Sequence, residues 1–173
     1  MNILPIIKTR RSSRKYKNRP VSDSLIKKIL EAGRWAPSGL NNQPWRFLVI
    51  KNETIKNKLA KFTKYSHIIE GANIIILVFL DNQVTYNRDK DLMAIGACIQ
   101  NILLSAHSLG LGTCWLGEIL SQKKKVSQYL QLPAKLELMA VLSLGYRADK
   151  LKKGNRQALK SLVIKREQSC QMK

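Results

Sequence analysis

The sequence predicts an α+β or α/β domain with one small, mixed β-sheet flanked by helices. Segments with apolar residues at helical spacing alternate with short aliphatic runs typical of buried strands. Hydrophobic residues make up 45% of the 173 residues and charged residues 24%, which is ordinary for a packed domain and excludes a disordered chain. We therefore expect a single domain over residues 1–173, with an extended basic C-terminal tail over 146–173.

The first half of the chain is expected to contain three helices and two strands. A short helix over 2–9 carries Pro5 in its first turn, where proline is tolerated. Ser22 or Asp23 caps a second helix, which stops at the Pro–Ser–Gly of 37–39. The remaining elements are a short β run over 47–50, a helix over 53–65 and a buried strand over 73–80.

The second half contains the clearest helix, over 91–109, with a wide apolar stripe and Gly110 at its C-terminal cap. Its polar residues argue against a membrane span. A strand over 113–116, a helix over 121–130 and a buried strand over 136–144 follow, and from Gly145 the chain becomes polar and basic.

The charge balance is unusual, because 31 Lys+Arg stand against 11 Asp+Glu, a net charge of +20. The excess is concentrated at the two ends, over 1–19 and 147–166. It fits a solvated surface, an arm that binds nucleic acid, or two ends that converge on one phosphate. Composition alone does not choose between these alternatives.

Several classes of protein are disfavoured by simpler features. Cys98, Cys114 and Cys170 form neither a disulfide framework nor a metal motif. The longest apolar runs are far shorter than the roughly 20 residues that span a bilayer. The N-terminus lacks the order of a signal peptide. We therefore expect a cytoplasmic protein without a metal centre or membrane contact.

Four blocks in order carry a resemblance to a known family. They are RRSSR at 10–14, APSGLNNQPWRF at 36–47, AIGACIQNILLSAHSLGLGTCWLGE at 94–118, and LGY at 144–146 followed by a basic segment. Each block alone is a weak signal, but together they resemble the nitroreductase family of flavoenzymes over nearly the whole chain. The resemblance implies an α+β fold, bound FMN and a homodimer, in which we expect two equivalent sites, each lined by both chains. The apolar residues of the C-terminal tail lead us to expect that it embraces the partner.

The resemblance also implies a reaction. Members of the family pass two electrons from NADH or NADPH through flavin N5 to nitroaromatics, quinones or related acceptors, and we expect a ping-pong cycle. A flavoprotein of the same fold with another reaction, such as dehalogenation, flavin reduction or flavin fragmentation, stays open as an alternative. A basic nucleic-acid-binding protein is the weaker alternative, since no helix-turn-helix, zinc or stacking motif accompanies the charge.

Positions for the FMN phosphate are implied by the first and last blocks. Guanidinium and hydroxyl groups suit a phosphate dianion, which favours Arg10, Arg11, Ser12 and, in the tail, Arg156. By the same resemblance Arg14 faces the N1–C2=O2 edge of the flavin, where a fixed cation would raise the reduction potential. We expect no certain catalytic residue beyond this electrostatic role, because the cofactor carries the chemistry.

Positions for the flavin ring are implied by the two middle blocks. One side of the ring is assigned to the loop of Pro37, Ser38, Gly39 and Asn41, and the N5 region to Leu116, Gly117 and Glu118. Glu118 could instead only cap the helix that opens near Ser121. Trp45, Cys98 and Cys114 are expected in the core. No role is assigned to His67 or His107. The segment between the central strand and the long helix is short here, over 82–90, so the acceptor is left open.

Overall fold

Four strands form one antiparallel sheet in the order β1–β2–β4–β3 in this computed structural model, which describes residues 3–150 and 153–164. The strands are β1 (Trp45–Ile50), β2 (Ile74–Asp81), β3 (Leu111–Leu116) and β4 (Leu136–Tyr146). β2 lies inside the sheet and is buried along its whole length, which explains its continuous aliphatic sequence. The sequence predicted a mixed sheet, but the four strands pair antiparallel throughout. The parallel pairing between Ser12 and Thr113 is an isolated bridge outside the four strands.

Helices cover both faces of the sheet. One face packs against α2 (Asp23–Arg34) and α5 (Arg88–Ser108). The other packs against α3 (Glu53–Ala60), α4 (Ser66–Glu70) and α6 (Lys123–Tyr129). The short helices α1 (Leu4–Thr9) and α7 (Leu159–Leu162) contain no buried residue. Alternation along β2 supplies both cores, with Ile76 and Val78 on the α5 side and Leu77 and Phe79 on the other. The α+β prediction is confirmed.

The predicted helix over 53–65 is interrupted. α3 begins as expected after Asn52, whose side chain accepts from Ile55 N at 3.0 Å, but it ends at Ala60. Thr63 Oγ1 then accepts from Tyr65 N at 3.2 Å and donates to Glu118 at 2.5 Å. Such side-chain bonds to the local backbone compete with helical pairing, so α4 starts separately. The helix predicted over 121–130 is likewise divided, into a 3-10 turn over Glu118–Gln122 followed by α6.

The boundaries of the other helices and strands differ from the predicted ones by a few residues. Strand β1 begins two residues earlier than predicted, β3 begins at Leu111, and β4 continues to Tyr146. Helix α5 begins at Arg88, three residues before the predicted start, because the side chain of Asn87 caps it by accepting from Lys90 N at 3.1 Å. Strand β3 is an edge of the sheet, and its free side faces the chain's N-terminal basic segment.

Candidate functional site

Both basic ends of the chain line one cavity of about 740 Å³. Its wall contains all four residues predicted for the phosphate, namely Arg10, Arg11, Ser12 and Arg156, together with Arg14, which was predicted to face the flavin edge. Arg147 and Lys150, which follow β4, lie in the same wall. The convergence of the two ends, one of the readings that composition left open, is thus the arrangement in the folded chain.

Backbone pairing explains how these ends meet. Ser13 N donates to Thr113 O at 2.8 Å, which holds the N-terminal segment along the free edge of β3. Two residues later, Ala148 N donates to Lys15 O at 2.9 Å, and Arg147 Nε donates to Ser13 Oγ at 2.9 Å. Residues 10–16 are therefore fixed between the edge strand and the segment that leaves β4.

Positive charges outnumber negative ones in the wall of this cavity, which contains seven basic residues and one acid. The pKa of Arg10 is lowered from its ordinary value by burial first, and then by the neighbouring charges of Arg11 and Arg156. Across the described part of the chain, no ion pair joins the guanidinium of Arg10, Arg14 or Arg156 to an acid. Cations held this close favour a bound anion, because it offsets their mutual repulsion.

Asp149 is the acid in the wall of this cavity. Its Oδ2 accepts from the backbone N–H of Arg14 at 2.9 Å, so the carboxylate orients the chain at Arg14 rather than pairing with a guanidinium. Its Oδ1 is buried and has no hydrogen-bond partner within the described residues. A buried acceptor of this kind is costly unless a ligand hydroxyl or water donates to it.

A second, smaller cavity of about 310 Å³ adjoins the first, and Arg14 lines both. It contains the predicted N5 segment, Leu116, Gly117 and Glu118. A Cβ on Gly117 would meet nothing within 4 Å, and its φ is −89°. The chain by itself therefore does not require glycine here, which leaves space for a ligand to approach the backbone.

Trp115 is a residue of this second cavity that sequence reasoning missed. Its side chain is 44% exposed, although every other residue of β3 is buried. An exposed indole on an edge strand can stack on a planar ligand. Its position directly before Leu116–Glu118 was the available signal, but the sequence analysis assigned Trp115 no role.

Glu118 does not cap the helix near Ser121. Its Oε2 accepts from Thr63 Oγ1 at 2.5 Å and from Lys64 N at 3.3 Å. The carboxylate thus ties the turn between α3 and α4 to the segment that follows β3, and it lines the second cavity as well.

The predicted ring-contacting loop lies elsewhere in the same chain. Asn42, next to Asn41, donates from Nδ2 to Asp91 Oδ1 at 2.6 Å, at the start of α5. The arginine cluster lies near the other end of α5, where Thr9 Oγ1 is 2.9 Å from His107 Nε2. Sixteen helical positions separate Asp91 from His107, which corresponds to about 24 Å. Pro37, Ser38, Gly39 and Asn41 therefore line neither cavity.

This loop is held in an uncommon conformation. Leu40, Asn41 and Gln43 have φ values of 53°, 52° and 46°, which cost non-glycine residues about 1–3 kcal/mol each. Gly39 packs closely against Tyr86, since a Cβ there would lie 1.7 Å from Tyr86 Oη and would displace that partly exposed ring. The loop presents Leu40 outward at 84% exposure. Backbone strain that neighbouring residues maintain is concentrated at functional sites, so this loop is a candidate contact surface.

The structure also describes Trp45, His107, Cys98 and Cys114, which the sequence analysis did not assign to the site. Trp45 is 4% exposed and lies in the core, as predicted. Burial and the charge of Arg147 lower the pKa of His107, so this histidine is neutral at pH 7. Burial raises the pKa of Cys98 to about 12 and also raises that of Cys114, so neither is a thiolate at neutral pH. Cys170 lies outside the described residues.

Residues 3–150 and 153–164 contain neither a candidate metal site nor a helix that could span a membrane. This part of the chain contains no group of three or more potential metal ligands. None of its helices has both the length and the apolar character needed to cross a membrane.

Comparison with known proteins identifies related sequences. The model of the nitroreductase family matches residues 7–65 and 61–146. A protein of Methanothermobacter thermautotrophicus, assigned as an NADH dehydrogenase/NAD(P)H nitroreductase, is 34% identical over 86% of this chain and 79% of its own length. A counterpart with the same assignment in Archaeoglobus fulgidus is 36% identical over 84% and 86%.

Solved structures are similar over nearly the whole chain. A protein from Desulfovibrio desulfuricans, assigned as a nitroreductase and solved in complex with FMN, is 46% identical with a TM-score of 0.92, covering 96% of this chain and 98% of its own. The NADPH:FMN oxidoreductase of Vibrio harveyi, solved with NAD⁺, is 25% identical with a TM-score of 0.86, covering 99% and 79%.

Proposed function

Because the chain belongs to the nitroreductase family of oxidoreductases, we propose that it binds FMN in the two adjoining cavities and oxidises NADH or NADPH. The observation that carries this proposal is a cavity lined by seven basic residues and one acid, Asp149, which shares Arg14 with the cavity at Leu116–Glu118. One part suits a phosphate dianion and the other a planar ring.

The residues present fit FMN in three respects. Arg10, Arg11 and Arg156 supply the charge and the N–H donors that a phosphate needs. The buried Asp149 Oδ1, which lacks a partner among the described residues, can accept from a ribityl hydroxyl. The indole of Trp115 and the space at Gly117 suit the isoalloxazine ring.

Bound FMN supplies two-electron chemistry by accepting a hydride at N5 and passing the electrons to a second substrate. The chain's part is to bind, to orient and to supply charge. Arg14 borders both cavities, so its guanidinium can face the ring edge that becomes negative on reduction. The open backbone at Gly117 leaves room for nicotinamide and acceptor in turn, which supports a ping-pong order. His107 is neutral at pH 7 and is not proposed as a proton donor.

We propose further that the working unit is a homodimer in which each flavin site takes the 37–41 loop from the second copy. Within one chain that loop and the arginine cluster lie at opposite ends of α5. A two-fold partner would bring the loop of one copy to the cavities of the other. Trp35 at the end of α2 (73%), Leu40 in the loop (84%) and Met93 on α5 (73%) are exposed apolar side chains that such a partner would bury.

The C-terminal segment has the composition expected of an arm that embraces the partner. Leu159, Leu162, Val163 and Ile164 are 71%, 59%, 40% and 98% exposed in the single chain. Such apolar exposure is relieved if the arm packs on a second copy. The free, buried cysteines Cys98 and Cys114 suit a reducing compartment, and we propose the cytoplasm.

A second reaction of the same fold, such as dehalogenation, flavin reduction or flavin fragmentation, remains the alternative, while the cavity lined by Arg10 and Arg156 argues against a generic nucleic-acid arm. The direct test is to purify the protein and record its absorption spectrum and bound cofactor. The proposal expects a yellow protein with one FMN per chain that oxidises NADH or NADPH when a nitroaromatic or quinone is present. A colourless protein that FMN cannot reconstitute would refute it.

A further inference from the structure

We propose that Lys61, Lys64 and Lys125 form a second anion subsite, which binds the 2′-phosphate that distinguishes NADPH from NADH. The three lysines line a cavity of about 510 Å³ on the α3–α6 side of the molecule. This inference rests on the proposed function, because it assigns a substrate class to the same site. It goes further by choosing between two reductants that the family resemblance leaves open.

The lysine cavity and the cavity proposed for the flavin ring share a wall residue. Glu118 lines both of them, and Gly117 lies immediately before it. A ligand that places one end over the open backbone of Gly117 can therefore extend past Glu118 to the lysines. A nicotinamide dinucleotide is such a ligand, because its reactive ring and its adenosine phosphate are at opposite ends of one molecule.

The structure holds this subsite together from two sides. Glu118 Oε2 accepts from Thr63 Oγ1 at 2.5 Å and from Lys64 N at 3.3 Å, which fixes the turn that carries Lys61 and Lys64. Phe62 contacts Tyr129 with ring centroids 6.1 Å apart, which joins the same turn to α6, the helix of Lys125. The three ammonium groups are thus carried by two elements that pack on each other.

The charge of the cavity favours an anion. Among the described residues, none of the three lysines forms an ion pair with a carboxylate. Three lysines against the single carboxylate of Glu118 leave a formal charge of +2 in the wall. Glu118 already accepts two hydrogen bonds from the turn. A phosphate monoester carries close to two negative charges at pH 7 and is a good match for lysine ammonium groups.

The test compares the FMN-loaded wild type with the double variant Lys61→Gln/Lys64→Gln and with the single variant Lys125→Gln. A matched control removes two exposed lysines from α2 (Lys27→Gln/Lys28→Gln), on the opposite face of the sheet. The binding readout is calorimetric titration with adenosine 2′,5′-bisphosphate and, in parallel, with adenosine 5′-monophosphate. The kinetic readout is kcat and KM for NADPH and for NADH with one fixed acceptor.

We expect the wild type to bind the bisphosphate more tightly than the monophosphate and to prefer NADPH. In the double variant, both preferences should fall by about tenfold or more, through KM rather than kcat, because charged hydrogen bonds to the phosphate are lost. The values for NADH and for the monophosphate should stay within about twofold, as should every value for the control. Lys125→Gln should show the same pattern to a smaller degree.

Two results would overturn the inference. One is a wild type that binds the two nucleotides equally and uses NADH as well as NADPH. The other is a double variant that keeps the wild-type preference, or that loses NADH and NADPH activity alike. Failure of the proposed function itself looks different, because a protein without FMN or without any NAD(P)H oxidation fails before these comparisons begin.

Discussion

Replacing Arg10 by Gln is expected to weaken FMN binding while leaving the cofactor-free protein at least as stable as the wild type. Arg10 lies in the cavity with Arg11 and Arg156, and no ion pair to an acid is formed by its guanidinium within the described residues. A charged hydrogen bond contributes about 1.5–3 kcal/mol. The dissociation constant for FMN should therefore rise by about 10- to 150-fold.

The effect on stability has the opposite sign, and the pKa explains why. Burial and the charges of Arg11 and Arg156 lower the pKa of Arg10 in the folded protein. A base whose folded pKa is lowered costs the folded state free energy wherever it is charged, which includes pH 7. Removing the charge relieves that cost, so the apo protein's melting temperature should stay constant or rise. FMN should then raise the melting temperature of the variant less than that of the wild type.

The assay is a titration of apo protein with FMN, followed by flavin fluorescence, together with thermal unfolding with and without FMN. Lys28→Gln, an exposed residue of α2, is the matched control for loss of one positive charge. The reasoning fails if Arg10→Gln binds FMN like the control. It also fails if the apo variant melts well below the wild type, since Arg10 would then be stabilising the fold.

Three further expectations concern other residues. Trp115→Ala should weaken FMN binding about threefold to tenfold through lost stacking, and it should reduce the quenching of protein fluorescence by FMN; unchanged quenching would remove Trp115 from the site. Arg14→Gln should lower the midpoint potential of bound FMN and slow hydride uptake more than it weakens binding, and an unaltered potential would count against its electrostatic role. The hydrogen bond from Arg88 holds the pKa of Glu137 at about 2. The ion pair therefore stabilises the folded protein above the ordinary pKa of a glutamate, and this contribution disappears as the pH falls towards 2. Glu137→Gln should cost about 1–2 kcal/mol of folding free energy at pH 7 and almost none near pH 2. An equal cost at both pH values would contradict the ion pair.

The sequence predicted the elements that depend on local pattern. The buried strands β2 and β4 and the long helix α5 were located to within a few residues, because continuous aliphatic runs and a wide apolar stripe are strong signals. The break after Ala60 was missed because it depends on Thr63 bonding to Glu118, 55 residues away. No pattern within the helix itself reports such a contact.

Some parts of the candidate site were predicted from the sequence and others were not, again because some contacts join distant parts of the chain. The family resemblance placed Arg10, Ser12 and Arg156 in one group, and the chain brings them to one cavity. It grouped Asn41 with them, yet that loop lies at the other end of α5 in a single chain. A sequence resemblance indicates which residues contact the cofactor, but it does not indicate which subunit of a dimer contributes each residue. Trp115 was missed because its exposure follows from the edge position of β3, which is a property of the sheet order.

The central claim is that one FMN site is built from two chains, and mixing two defective variants tests it most directly. One variant carries Arg10→Gln and Arg156→Gln, and the other carries Ser38→Ala and Asn41→Ala. Each alone should bind little FMN, because every site of its homodimer has one defective half. In an equal mixture refolded together or coexpressed, a mixed dimer has one site with both lesions and one intact site.

The account predicts that such a mixture binds FMN at about one quarter of its sites with wild-type affinity, since about half of the dimers are mixed and each has one intact site. Light scattering on the same sample should give a mass of about twice 19.7 kDa. A mixture that binds no more FMN than the two variants measured separately, while still forming dimers, would contradict the shared site.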